Sequence, residues 1–409
     1  MPERKVYVTI DKDAPVLALD VSKGSSHCQG FFSFGKPSGK PIKVARSRSG
    51  MAAAAEIAET LRKDSGRDPT VVLESTGVYS EPAVRWAESI GLEALLISPL
   101  ESAKVRKSRV RPTKTDALDC AVIAEVAYTR SARRHTARSS LYSQLYSLSR
   151  RRSAIVDRLV ASKNQYRKSL DAVWPLLDES CDPFSGYAMW AVGRYRHPEA
   201  LAKAKEKSIV SGLEGAKVRT GAISKAAAAS KLSAYAKDAM SGCLADGGEV
   251  DSLISALDDV IGDMRALDEI TGRLLGLAKE LPHFAQIASI DGVGGVLAAL
   301  LCAEIGEPSR FPNRNALVAY AGLDPAILQS GRNDGLHCSI TRKGNAFLRR
   351  CLYLAVENML ISKADNAVTR FCSKKKSSGL CQKAAATAAC RKLLVTIWGM
   401  LRSGTFFDR

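Results

Sequence analysis

The sequence predicts an α/β domain at the N-terminal end, a helical, coiled-coil-like middle, and a mainly α-helical C-terminal domain. Three observations carry this prediction. Short apolar runs alternate with helical stretches through the first 130 residues, a pattern that packs helices on a mixed sheet. Leu253, Leu257, Val260, Met264, Leu267 and Leu274 recur at spacings of four and three, with Thr271 the one polar member of the series; this is a heptad seam. Beyond Leu281 the long patterned segments are all helical. The corresponding divisions are residues 1–135, 136–280 and 281–409, with an insertion at about 178–250. A chain of 409 residues exceeds one ordinary core, in keeping with several domains.

Residues 15–21, PVLALDV, read as a buried strand ending in an acid. His27–Phe34 and Pro41–Ala45 read as two further strands around the turn-rich GKPSGK. Met51–Arg62 is alanine-rich and helical, Thr70–Leu73 is a strand running into Glu74, and Glu81–Ile90 is a helix with Pro82 in its first turn. Glu93–Ile97 is a strand closed by Pro99, and Thr115–Tyr128 a helix. Three adjacent strands followed by alternating units is the order of an RNase H-like fold. Leu141–Leu177 is helical, whereas 178–250, rich in Ala, Lys, Ser and Gly, reads as helices and loops without strong periodicity. The heptad seam fits equally a helix packed on its own domain and a helix pair or subunit contact. In the last domain Gly292, Gly294 and Gly295 open an apolar helix, and helices follow at 311–320, 342–361 and 384–401.

The formal charge is +18, which points to a polyanionic partner, nucleic acid before membrane. From Glu101 to Leu170 there are seventeen Lys and Arg against five Asp and Glu. Arg106, Lys107, Arg109, Arg111, Lys114, Arg150, Arg151 and Arg152 in this block are candidate phosphate contacts. Ten cysteines occur with no CxxC pair, which argues against a zinc site or a disulfide framework and for reduced thiols. The N-terminal MPERKVYVTIDKD lacks an apolar signal core, and no run of about twenty apolar residues is evident. The expectation is a soluble, intracellular protein with no membrane partner.

Asp20 and Glu74 sit at or just past the ends of apolar strands, where acids converge at one edge of a sheet. Asp116 and Asp119, at i and i+3 in KTDALD, share one face of a helix. Four carboxylates aimed at one point repel each other unless a cation lies among them, and hard oxygen ligands suit Mg²⁺ or Mn²⁺. Two such ions about 4 Å apart polarise a phosphodiester and steady its leaving oxygen. Taken singly, each acid also has a structural reading: Asp20 as a strand-end turn residue, Asp116 as a helix cap.

LDVSK (19–23), LESTG (73–77) and KTDALD (114–119) resemble, in order and spacing, the acidic motifs of the one-ten family of bacterial insertion sequences. The C-terminal GVGGVLAALLCAEIG, ALVAYAGLDPAILQSG and ITRKGNAFLRRCLYLAV are similar to the C-terminal transposase domain of the same family. The resemblance covers roughly 15–175 and 281–361. It implies a RuvC-like N-terminal domain with Asp20, Glu74, Asp116 and Asp119 as the metal-binding tetrad, and Ser330, before Gly331, as a nucleophile that joins covalently to a DNA end. It further implies donor and target DNA as substrates, a structured noncoding bridge RNA encoded by the element, a homo-oligomer (dimer or tetramer), and work at the bacterial nucleoid. Asp324 after Gly-Leu and Gln329 before the serine depart from the family pattern without removing a needed group.

No His adjoins Ser330 in sequence, His337 being the nearest, so activation by a metal fits better than a Ser-His-Asp triad. Gly292 and Gly294 at a helix start could grip a phosphate or serve tight helix packing. Arg342 and Lys343 could meet DNA backbone. Two rival readings stand: a RuvC-like resolvase or nuclease using metal-activated water, and a non-catalytic nucleic-acid-binding protein.

Overall fold

A computed structural model describes residues 7–75, 77–108, 116–130, 132–135, 140–325 and 340–408, except that the side chains of 7, 25, 78, 116–118 and 133 fall outside the description. The chain divides into two compact units, 1–137 with 309–312, and 138–308 with 313–409.

The first unit is built on one eight-stranded sheet. Its strands are β1 (Tyr7–Val8), β2 (Val16–Val21), β3 (Ser25–Ser33), β4 (Lys36–Pro37), β5 (Ile42–Ala45), β6 (Thr70–Glu74), β7 (Ala94–Ile97) and β8 (Ala132–Arg134). Along the sheet they run β1-β8-β7-β6-β2-β3-β4, with β5 also paired to β3. β2 pairs antiparallel with β3 and parallel with β6, and β6 pairs parallel with β7. The apolar runs of β2, β6 and β7 are buried on both faces, as central strands covered by helices on each side must be. Side chains alternate across the sheet. Leu17, Leu19, Val21, Val71 and Leu73 pack under the helices α1 (Arg48–Ser65) and α2 (Glu81–Ser89). Val16, Ala18 and Val72 face the other layer, where α4 (Asp116–Thr129) lies beside α3 (Pro99–Ser108). At roughly 25 cal/mol per Å² of apolar surface, these two layers are the main favourable term for this unit.

The second unit is helical. α5 (Ser140–Val173) is followed by the short helices α6 (Leu177–Ser180), α7 (Gly186–Tyr195), α8 (Pro198–Ala202), α9 (Glu206–Gly215) and α10 (Lys225–Asp238), then by α11 (Gly248–Ala278). α5 and α11 pack along each other. The heptad seam therefore finds its partner inside the chain: Leu253, Leu257, Val260 and Leu274 are buried, and Thr271, the polar member, accepts a 3.0 Å hydrogen bond from Arg152 Nε. The short helices between 178 and 250 pack with the C-terminal half of α5 and the N-terminal half of α11 around one shared core. Trp174 is fully buried there, stacked on Tyr235 and donating its indole N–H to Arg196 O.

α12 (Phe284–Ala288), α13 (Gly295–Ile305), α14 (Arg314–Ala321), α15 (Ala346–Ile361), α16 (Ala367–Ser377) and α17 (Gln382–Ser403) complete the unit. Among the described residues, α17 alone is long and apolar enough to cross a bilayer by length and composition. It carries Lys383, Arg391, Lys392 and Arg402, so it is not an uninterrupted apolar run. Its apolar side, with Leu393, Leu394 and Ile397, is buried against its own unit.

Candidate metal centre

β2 and β6 bring two carboxylates together through register. Leu19 lies opposite Leu73 in the parallel ladder, so the next residue on each strand, Asp20 and Glu74, ends its strand beside the other. Both continue the face of Ala18 and Val72, the face that α4 covers. Asp119 reaches the same place from α4 and is only 4% exposed. Three of the four acids expected from the sequence thus share one layer. Asp116 opens α4, and its side chain lies outside the described residues.

The electrostatics are those of crowded negative charge. Burial raises the Asp20 carboxyl above its ordinary value, and Asp119 and Glu74 raise it further, while His27, its partner on β3, and Arg106 pull it down. Arg106, from α3, donates from Nε to Asp119 Oδ1 at 2.8 Å and sets a terminal nitrogen 3.5 Å from Glu74 Oε2. That Glu74 oxygen is buried and has no hydrogen bond. Among the described residues, one guanidinium thus faces three carboxylates, with His27 beside Asp20, and leaves a Glu74 acceptor without a hydrogen bond, which costs about 1–3 kcal/mol or more for a charged group. Hard oxygen donors in excess, with an orphaned oxygen among them, fit a divalent cation. The described side chains do not close a coordination shell: no three His, Cys, Asp or Glu among them stand close enough to hold one ion. Arg106 was expected on nucleic acid from its place in the basic block; instead its guanidinium turns toward the acids. Only its spacing from KTDALD hinted at this.

The other candidate positions fall into three groups. Arg109, Arg111, Lys114, Ser330 and Gly331 lie outside the described residues. Lys107, Arg151, Arg342 and Lys343 are exposed. Arg150 and Arg152 are engaged within the fold, Arg152 on Thr271 and Arg150 on Glu304 of α13. Glu304 is fully buried and is the acid that the sequence reading missed. It accepts from Ser149 Oγ at 3.0 Å, Arg150 at 2.8 Å and Asn345 Nδ2 at 2.7 Å. Arg150 also lies over the Phe347 ring, 3.5 Å from its centroid. A lone acid inside AALLCAEIG was the available signal, since such residues are buried only when paired.

Gly292 has φ +75°, and a Cβ there would stand 2.8 Å from Met359 N, so this glycine serves close packing on α15. Gly294 is the exposed N-cap of α13. On either side of residues 326–339, which include Ser330 and lie outside the described residues, Pro325 bridges Ile340, Thr341 bonds Asp324 through backbone and side chain, and Gly322, at φ +65°, packs against Gly344.

Residues 17–175 match a family model described as a transposase, of the DEDD type, and residues 285–372 match one described as Transposase IS116/IS110/IS902 family. A 43.6 kDa protein of insertion element IS110 from Streptomyces coelicolor is 26% identical over 404 residues, covering 96% of this chain and 95% of the relative. A 44.8 kDa protein of insertion element IS116 from Streptomyces clavuligerus is 26% identical over 303 residues, 72% of each chain. A pilin gene-inverting protein of Moraxella bovis is 30% identical over 144 residues, 35% of this chain and 44% of the relative. The two matched domains together span more than half of the sequence, and the chain belongs to the IS110 family of transposases.

Proposed function

We propose that the chain is a DNA recombinase that cuts and rejoins strands through Ser330, with a divalent ion held by Asp20, Glu74, Asp116 and Asp119. The observation that carries this reading is that Asp20, Glu74 and Asp119 share one layer, near enough for Glu74 and Asp119 to raise the Asp20 carboxyl, beside a buried Glu74 oxygen that no hydrogen bond satisfies. The strand order β5-β3-β2-β6-β7, antiparallel then parallel, supports an RNase H-like reading of this unit. When bound, Mg²⁺ or Mn²⁺ would supply Lewis-acid polarisation of the phosphodiester and of the attacking hydroxyl. Asp20 and Glu74 fix the donors on rigid strand ends, and Arg106 holds Asp119 in place. Ser330 Oγ forms the new bond to phosphorus and gives up its proton to solvent. The bond to the leaving sugar oxygen breaks, and that oxygen is protonated. Reversal onto another strand's hydroxyl completes the exchange.

Relatives named for inverting a gene favour rejoining over hydrolysis, because inversion needs both cutting and resealing. The basic block suits a structured RNA partner gripped through phosphates, with base pairing selecting donor and target DNA, and a homo-oligomer is the working form that the family resemblance implies. Ser330→Ala is expected to abolish a covalent protein–DNA adduct on a recombination substrate, and a surviving adduct would move the nucleophile elsewhere. Asp119→Asn should stop cleavage in Mg²⁺ while nucleic-acid binding persists; unchanged cleavage would sink the metal assignment. Sequencing RNA that co-purifies tests guidance, and RNA unrelated to the flanks of the gene would count against it.

A further inference from the structure

A cavity of about 230 Å³ opens at the end of β2, on the side of the sheet away from the carboxylates. Val21, the residue after Asp20, and Ser26, its partner on β3, form its buried floor. Two aromatic side chains, Tyr79 and Trp86, stand in its lining, both half-buried. Arg46 lies over the Tyr79 ring, 5.1 Å from its centroid, and donates to Lys23 O at 3.2 Å in the loop after β2. Arg48, exposed beside it, is the first residue of the 18-residue α1. The Ser47 side chain caps Gly50 N and the Ser47 carbonyl receives Met51 N, so the amides of Arg48 and Ser49 begin the helix without intrahelical acceptors. The described lining carries two guanidiniums and no carboxylate.

These parts match one ligand chemistry. Aromatic rings offer a stacking surface for a planar base, guanidiniums and free helix-start amides offer an anion site, and the volume holds a base but no base pair. The place is equally specific: the floor is one residue from Asp20, and Tyr79 ends the turn Gly77–Tyr79 that follows Glu74. We propose that this cavity takes an unpaired nucleotide of the DNA strand being cut, with its base against Trp86 and the Tyr79–Arg46 pair and its phosphate at Arg48. The assignment of that strand as DNA rests on the recombinase reading above. Unstacking one nucleotide beside the scissile phosphate would present the phosphodiester to the opposite face, where the acids lie.

The test uses the full-length protein in EDTA, which removes cleavage from the readout. Binding of a labelled DNA duplex with a single-stranded tail is followed by fluorescence anisotropy while an abasic site is moved along the tail. Wild type should lose about tenfold in affinity at one tail position, in the range of base stacking on an aromatic ring. Trp86→Ala should lose about tenfold on the intact tail and nothing further at that position, and Trp86→Phe should restore most of it. Should Trp86→Ala fail to fold, Arg48→Gln on the exposed helix start gives the same cycle against a neutral methylphosphonate at one linkage. Equal losses at every position, no base-dependent loss, or a cycle seen with an RNA tail and absent with DNA would each overturn the proposal. Ser330→Ala protein must give the same cycle. A missing covalent adduct with the cycle intact therefore strikes only the serine chemistry, and a missing cycle with the adduct formed strikes only the cavity.

Discussion

Glu304 and Asp20 show how differently two acids in apolar surroundings are handled. Glu304 has three donors from α5 and from the cap of α15, so its charge is met inside the protein. Replacing it with Ala strands Arg150 and leaves Asn345 short of an acceptor, a change expected to cost about 3–5 kcal/mol. Glu304→Gln keeps the acceptor oxygen and should cost less. Chemical denaturation of the two variants checks this, and an Ala variant as stable as wild type would remove Glu304 from its structural role. Among the described residues, Arg106 is the one guanidinium shared by Asp20, Glu74 and Asp119, with His27 also acting on Asp20, so the described partners meet their charge only in part. Mn²⁺ is accordingly expected to raise the melting temperature, by an amount equivalent to about 2.7 kcal/mol at a hundredfold excess over its dissociation constant. Asp119→Asn should erase most of that increment. Cysteine reactivity offers another residue-level check. Burial pushes the Cys302, Cys351 and Cys390 thiols up to about 12, whereas Cys381 is exposed. Iodoacetamide at neutral pH should therefore label Cys381 in the native protein and the other three only after unfolding; mass spectrometry of the labelled peptides would show otherwise if they are accessible.

At the scale of elements, legibility followed length and pattern. β2, β6 and β7 were readable because each is an apolar run closed by an acid or a turn, and Asp20 and Glu74 were readable with them. α11 was readable from its seam, although sequence left its partner open; α5 fills that role. Thr271→Ala should leave Arg152 Nε without its acceptor and lower stability by about 1–3 kcal/mol, while Thr271→Ser should be nearly neutral. What escaped notice had weak signals. Pro99 reads as the end of β7, yet it is the first residue of α3, a position where proline's missing N–H does no harm. Without α3 on the page, Arg106 had nothing to aim it at the acids. β1, β4 and β8 are two or three residues long, below the length at which alternation can be seen. The helices between 178 and 250 are 4 to 14 residues long, and their inward faces rely on alanines such as Ala188, Ala228 and Ala229, which blur the contrast between apolar and polar sides.

For the whole molecule the dominant fact is charge. With Lys and Arg exceeding Asp and Glu by 18, affinity for nucleic acid should fall steeply with salt. A slope of log affinity against log salt of about −5 or steeper corresponds to six or more neutralised phosphates. Titrations from low to high KCl, with Mg²⁺ held constant, measure it. A shallow slope would mean that the basic residues serve mainly as internal partners, as Arg106, Arg150 and Arg152 do. The composition could not say which cations are free to meet a polyanion, because that depends on which ones the fold has already matched with acids.

β2 is a thin partition. Asp20 belongs to one side of it and Val21 to the other, so the carboxylates and the aromatic cavity are separated by a single peptide step. Because alternation has a period of two, removing one residue ahead of Asp20 would not simply weaken the centre. It would point the acid at the cavity floor and an apolar side chain at Glu74, exchanging the two sides of the wall. The spacing within VLALDV is thus a parity condition: a two-residue change restores the facing of each side chain, whereas any single-residue change inverts it.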